Sequence, residues 1–233
     1  MSSKPCILIV GAGDGLSASL ARVFAREGGY RVALASRHPE RLAALAQELG
    51  AMALRCDASD GTEVDALFNQ LDKACDSPWD VVIYNASNRV RGPITEVEPD
   101  AVAQALAVSA FGGFLVAQQA ARSMLRRGRG TILFTGASAS VKGYAHSAAF
   151  AMGKFALRGL AQSMARELAP QGIHVGHIVI DGAIRHPDRI DSSAVPDSML
   201  DPDAIARSYL HLVRQDRSAW SWELELRPWV ERF

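Results

Sequence analysis

Two hydrophobic patterns alternate along the chain. Short, nearly continuous runs rich in Val, Ile and Leu recur at 6–10, 31–35, 52–55, 81–84, 131–134 and 174–180, as expected of strands covered on both faces. Between the first of them, apolar residues return at helical spacing: Leu16, Leu20, Val23 and Phe24, then Leu42, Leu45, Ala46 and Leu49, then Val64, Leu67, Phe68 and Leu71. Each set forms one apolar stripe on an otherwise polar helix. Longer helical patterns cover 100–127 and 148–168, the second stopped by Pro170 and Gly172, where a missing donor and a flexible backbone end a helix. Strands alternating with helices require right-handed crossovers, hence a parallel sheet with helices on both faces. The predicted fold is α/β, a doubly wound, Rossmann-like parallel sheet with ligands at the carboxyl ends of its strands.

The remaining segments complete this plan. Residues 182–200 lack periodicity and contain Pro187 and Pro196, which predicts a loop or lid before a helix at 201–214. At 218–226, Trp220, Trp222, Leu224 and Leu226 share one parity, predicting a seventh strand with an aromatic face. The aromatic tail 227–233 is expected to dock on a neighbour. No linker, internal repeat or low-complexity tract divides the chain, so a single domain over 1–233 is expected.

Composition narrows the possible partners. With 233 residues, 48% hydrophobic and 21% charged, the chain can bury a full core. Lys plus Arg and Asp plus Glu number 25 each, which supplies no basic field for nucleic acid and no polybasic run for anionic lipid. The first apolar stretch is too brief for a signal core and far below a membrane span. A soluble, cytoplasmic protein with no nucleic-acid or membrane partner is expected. Cys6, Cys56 and Cys75 are an odd set without metal-type spacing, and read as reduced packing residues with no metal site.

The candidate chemistry begins directly after the first run, at Gly11-Ala12-Gly13-Asp14-Gly15-Leu16-Ser17. Gly11, Gly13 and Gly15 allow a tight turn and close backbone approach, so that the following helix presents its free N–H groups to a pyrophosphate. After the second strand, where an NAD site places an acidic residue, the chain has Ser36 and Arg37. A guanidinium and a hydroxyl suit a 2'-phosphate, which favours NADP(H) over NAD(H).

In this order, these motifs resemble the short-chain dehydrogenase/reductase family across nearly the whole chain. Gly11 and Gly15 match the family's glycine motif, with Ser17 in place of its last glycine. Asp57 resembles the strand-end Asp that meets the adenine, Tyr84-Asn85-Ala86-Ser87 resembles the Asn-Asn-Ala-Gly motif, and 154–157 resembles the active-site helix. Gly182 follows Asp181 where the family has Pro-Gly, and Ile184 falls beside the expected nicotinamide amide. The resemblance implies a nicotinamide cofactor held also by Lys154, a small carbonyl or alcohol substrate, and a homodimer or homotetramer pairing through its long helices.

It also implies a defect. One helical turn before Lys154, where the family has its proton-donating Tyr, stands Phe150, which has no titratable proton. The family's Ser falls at Ala137 without a gap, and Ser138 takes the role only if the loop is one residue shorter. The family's helix Asn falls near Ser109. Tyr144 and His146 in the preceding loop are replacement acids, Tyr144 the better one because a nearby cation favours its phenolate. Two functions follow: an NADP(H)-dependent oxidoreductase with a non-standard proton donor, or a dinucleotide-binding protein without turnover, acting as a sensor or structural partner.

Overall fold

The computed structural model describes residues 4–74, 79–186 and 195–231; Cys75 and, from the 182–200 loop, Pro187, Asp188 and Arg189 lie outside them. In chain order the elements are β1 (Cys6–Val10), α1 (Leu16–Arg26), β2 (Arg31–Ser36), α2 (Ala43–Leu49), β3 (Met52–Arg55), α3 (Gly61–Ala74), β4 (Val81–Tyr84), α4 (Pro99–Leu106), α5 (Gly112–Leu125), β5 (Gly130–Thr135), α6 (Ala148–Leu168), β6 (Ile173–Ile180), α7 (Pro202–Val213) and β7 (Glu223–Leu226). The strands form one 7-stranded sheet in the order β3-β2-β1-β4-β5-β6-β7, and every pairing is parallel.

Alternation along the strands divides the core in two. Cys6, Leu8 and Val10 point to the layer made by α3, α5 and α6, and Ile7 and Ile9 to the layer made by α1, α2 and α7. Because both layers are apolar, central strands carry no polar alternation. The chain winds outward from β1 to β3 and then returns to β4 beside β1, so the strand order reverses there. The loops after β1 and β4 part at this point and leave a crevice.

Three details differ from the sequence expectation. The helical pattern at 100–127 is interrupted by a π-helical segment at Ala107–Phe111 between α4 and α5. The cause is a contact distant in sequence: the buried Tyr84 hydroxyl donates to the Val108 carbonyl, while Gly112 packs where a Cβ would meet that hydroxyl. The seventh strand begins only at Glu223, because Asp216 accepts a hydrogen bond from the Ser218 N–H and folds 217–219 into a 3-10 turn. Trp220 then stacks on His174, with centroids 4.8 Å apart, so only Leu224 and Leu226 of the predicted apolar face join the core. In the described part of the tail, the Trp229 indole N–H donates to the Pro196 carbonyl at 3.2 Å, while its ring stays exposed.

Cys6 and Cys56 are buried cysteines outside any disulfide. The segment Pro99–Leu125 is, among the described residues, long and apolar enough to cross a membrane. In the fold it presses Val116, Ala117, Ala120 and Met124 onto the sheet, as a core helix does.

Candidate active site at the carboxyl edge of the sheet

The crevice has two ends. At the first, a hollow of about 260 Å³ is lined by Gly11, Ser36, Arg37, Asp57 and Asn85, among others. Gly11 has φ +81°, and a Cβ there would run into the backbone of Ala86, so only glycine fits between the loops after β1 and β4. Its N–H and that of Ala12 donate to the Ala35 carbonyl at 2.9 and 3.0 Å. Asn85 Nδ2 donates to Ser17 Oγ at 2.7 Å and to the Gly11 carbonyl at 3.3 Å, and Ser17 Oγ donates to that same carbonyl at 3.1 Å. Asn85 therefore pins the glycine loop. α1 starts at Leu16, and its N-cap Gly15 supplies no side-chain cap, so its first N–H groups have no side-chain partner; both residues border the crevice.

Ser36 and Arg37 stand at the end of β2, opposite Asp57. Burial pushes the Asp57 carboxyl up, but hydrogen bonds from the Ser59 hydroxyl and N–H, with Arg37 and Arg55 nearby, hold it below the usual range. These groups fit an adenosine and its phosphates: a carboxylate for the base, a free helix start for the pyrophosphate, and a guanidinium for a 2'-phosphate. Gly13 lies in open space, with no atom near its would-be Cβ, so the loop's tightness rests on Gly11.

At the second end, a cleft of about 520 Å³ shares Asn85 and Ser87 with the first hollow and includes Thr135, Phe150, Lys154, Gly182 and Ile184 in its wall. Lys154 is buried, and its Nζ donates to the Thr135 carbonyl at 2.7 Å. Burial, then the positive charge of Arg89, bring its ammonium down to about 7. Phe150 lies 9% exposed, with Arg89 Cζ 4.4 Å and Lys154 Nζ 5.9 Å from its ring centroid. Ile184 is held by a short bridge to Leu200, and Gly182 by the Pro228 ring against it.

Other sequence candidates fall elsewhere. Ala137 lines the cleft and Ser138 is not part of its wall; the hydroxyl that closes this turn is that of Ser140, which accepts from the Ala137 N–H. Tyr144 is 47% exposed, beside Lys142 and outside the cleft wall. His146, at φ +59°, gives its carbonyl to the Gly92 N–H. Ser109 Oγ accepts from the Asn88 N–H at 3.1 Å, so it fixes the loop after β4.

Sequence reasoning missed Arg89 and Arg91, which both line the cleft. The signal was present: two arginines at period two, four and six residues after the strand-end Asn85. It also missed the buried His177, whose Nδ1 meets Glu223 Oε2 at 3.0 Å while Arg158 grips both oxygens of Glu223.

The profile of one known family, described as short chain dehydrogenase, matches residues 5–186 of the chain. The chain belongs to the short chain dehydrogenase family. Short chain aldehyde dehydrogenase 1 of Euphorbia lathyris is 29% identical over 185 residues, covering 76% of this chain and 63% of that protein. This chain thus spans less than two thirds of that relative's length. Among solved structures of the family, a short-chain dehydrogenase from Rhodopseudomonas palustris is 36% identical with a TM-score of 0.83, covering 98% of this chain and 100% of the other. A metagenomic short-chain oxidoreductase in complex with NADP is 25% identical, with a TM-score of 0.83 and coverage of 97% and 98%.

Proposed function

We propose that this chain is an NADP(H)-dependent oxidoreductase acting on a small carbonyl or alcohol, with Phe150 in the place of the family's proton-donating tyrosine. One observation carries the reading: a single crevice runs from Arg37 and Asp57, past the Asn85-pinned glycine loop, to a buried lysine at the ends of β4 and β5. The metagenomic relative bound to NADP supports the choice of nucleotide. When bound, the dinucleotide supplies or takes up a hydride.

The chain's own part is positional and protonic. Ser36 and Arg37 hold the 2'-phosphate, Gly11 to Gly15 let the backbone approach the pyrophosphate, and Asp57 meets the adenine. Gly182 and Ile184 border the nicotinamide, and Lys154 binds its ribose hydroxyls. Phe150 contributes no proton, and neither Ser138 nor Tyr144 lines the cleft. The ammonium at Lys154 Nζ is the group that can hold a proton near neutrality at the buried end, so it is the proton carrier of this reading. The same lack of a phenol favours the second reading, dinucleotide binding without turnover.

Fluorescence titration tests the assignment. NADPH should bind about ten- to a hundredfold more tightly than NADH, the range that a charge-assisted contact contributes. Arg37→Asp should reverse the order. Equal dissociation constants in the unaltered protein would refute the placement of the 2'-phosphate.

A further inference from the structure

We propose a second ligand site at the amino-terminal edge of the sheet, where Arg129 and Arg217 seat a small phosphate monoester. In a parallel sheet all strands start at one edge and end at the other. The starts of β4 and β5 therefore lie a strand length from the crevice, roughly 17 Å for the six residues of β5. A hollow of about 250 Å³ opens at this edge, bordered by Tyr30, Asp80, Arg129, Thr131, Gln215 and Arg217, among others. No residue assigned to the nucleotide borders it, so its charge is separate from that of the crevice.

The two cations have no acid of their own. Among the described residues, neither Arg129 nor Arg217 forms an ion pair or a hydrogen bond. Asp80 is the one carboxylate among the described residues of the wall, and both its oxygens are engaged: Oδ1 accepts from Arg127 at 3.1 Å and Oδ2 from the Cys6 N–H at 2.9 Å. Asp216 folds back on its own turn, accepting from the N–H and the hydroxyl of Ser218. Gln215 is held at both ends by Ser221.

What the hollow still offers is donors. Thr131 is only 7% exposed, yet its hydroxyl has no hydrogen-bond partner among the described residues, and a nearly buried polar group calls for one. The hydroxyl of Tyr30 is likewise unpartnered. Burial, then the Asp80 carboxylate, raise that phenol, so it keeps its proton and stays a donor. Arg217 is anchored with its guanidinium 5.6 Å from the Trp220 ring centroid, and Trp220 is itself stacked on His174. A Cβ on Gly172 would sit 2.6 Å from Arg217 Nη2, so the glycine makes room for the guanidinium. Two forked cations and two hydroxyls around one hollow match a dianion with three terminal oxygens. A carboxylate, with one charge and two oxygens, answers only part of the set.

NMR of the 15N-labelled chain tests the site, with inorganic phosphate, glycerol 3-phosphate and acetate titrated at constant ionic strength. Residue-resolved signals separate this hollow from the glycine loop. Both phosphates should shift the Gly130, Thr131 and Gly172 amides and the Trp220 indole N–H saturably, with about tenfold or more tighter binding than acetate, as expected of one added charge-assisted contact. Arg129→Gln and Arg217→Gln should each weaken phosphate binding about tenfold, and Arg217→Lys less. Thr131→Val, which keeps the volume and removes the hydroxyl, should weaken it too, while Arg37→Asp leaves it unchanged. Both arginines are exposed, so their variants should keep the remaining amide spectrum of the unaltered fold. No saturable shift at these signals, equal affinity for acetate and phosphate, or shifts that survive the loss of both arginines overturns the proposal.

Discussion

Phe150 and Lys154 lie one helical turn apart on α6, with the ammonium 5.9 Å from the ring, so a phenol at 150 enters a site that already holds its partner cation. Phe150→Tyr adds one hydroxyl to a ring at the cleft wall. It should raise NADPH-dependent reduction of an aldehyde or ketone panel about tenfold or more, the low end of what a general acid contributes. The pH profile separates the two proton carriers. In the unaltered protein a Lys154 acid must be protonated, so reduction should fall as pH rises through about 7. In Phe150→Tyr the fall should move to higher pH, toward a phenol's range. If Tyr144→Phe abolishes activity instead, while Phe150→Tyr leaves it unchanged, the proton comes from the loop before α6.

At the scale of elements, β6, β7 and α6 are joined by His177, Glu223 and Arg158. Burial keeps the His177 ring neutral down to about 4 despite its carboxylate neighbour. In the unfolded chain the same ring takes up its proton near 6.5. Between those values the unfolded state binds more protons, so stability is full above about 6.5 and is lost as pH falls toward 4. His174, also lowered by burial, acts in the same direction. Urea midpoints should drop from pH 7 to pH 4.5, and His177→Asn should flatten part of that slope; an unchanged slope would remove His177 from the account. The elements themselves were largely legible in the sequence, because buried parallel strands and amphipathic helices carry opposite periodicities. The π segment at 107–111 was not, since the apolar spacing runs through it and its cause, Tyr84, is distant in sequence. The start of β7 was misplaced because Trp220 and Trp222 share strand parity yet are drawn aside by His174 and Arg158. At the site, Gly11, Asn85 and Lys154 were readable from motif order. The seat of Arg89 over Phe150 exists only once α6 is packed beside the β4 loop.

For the whole molecule, the helices that cover one sheet face leave apolar side chains outward. Phe111 and Phe114 stack at 6.2 Å, and on α6 Met152 and Phe155 are exposed as well. Large apolar side chains left exposed on helices of one sheet face mark an association surface. Light scattering at micromolar concentration should give the mass of two or four chains in closed symmetry, and Phe114→Asp combined with Phe155→Asp should lower it toward one. A monomeric mass for the unaltered protein would count against this pairing. Where the sheet changes winding direction, the bond from Asn85 to Ser17 also ties the two halves of the fold together. The Ser17 hydroxyl is an acceptor that holds the neighbouring loop. Ser17→Gly would take that acceptor from Asn85, while any change at Gly11 collides with Ala86. The two loops are thus coupled through one hydroxyl, and a shift in either is passed to the other across the junction between the two halves.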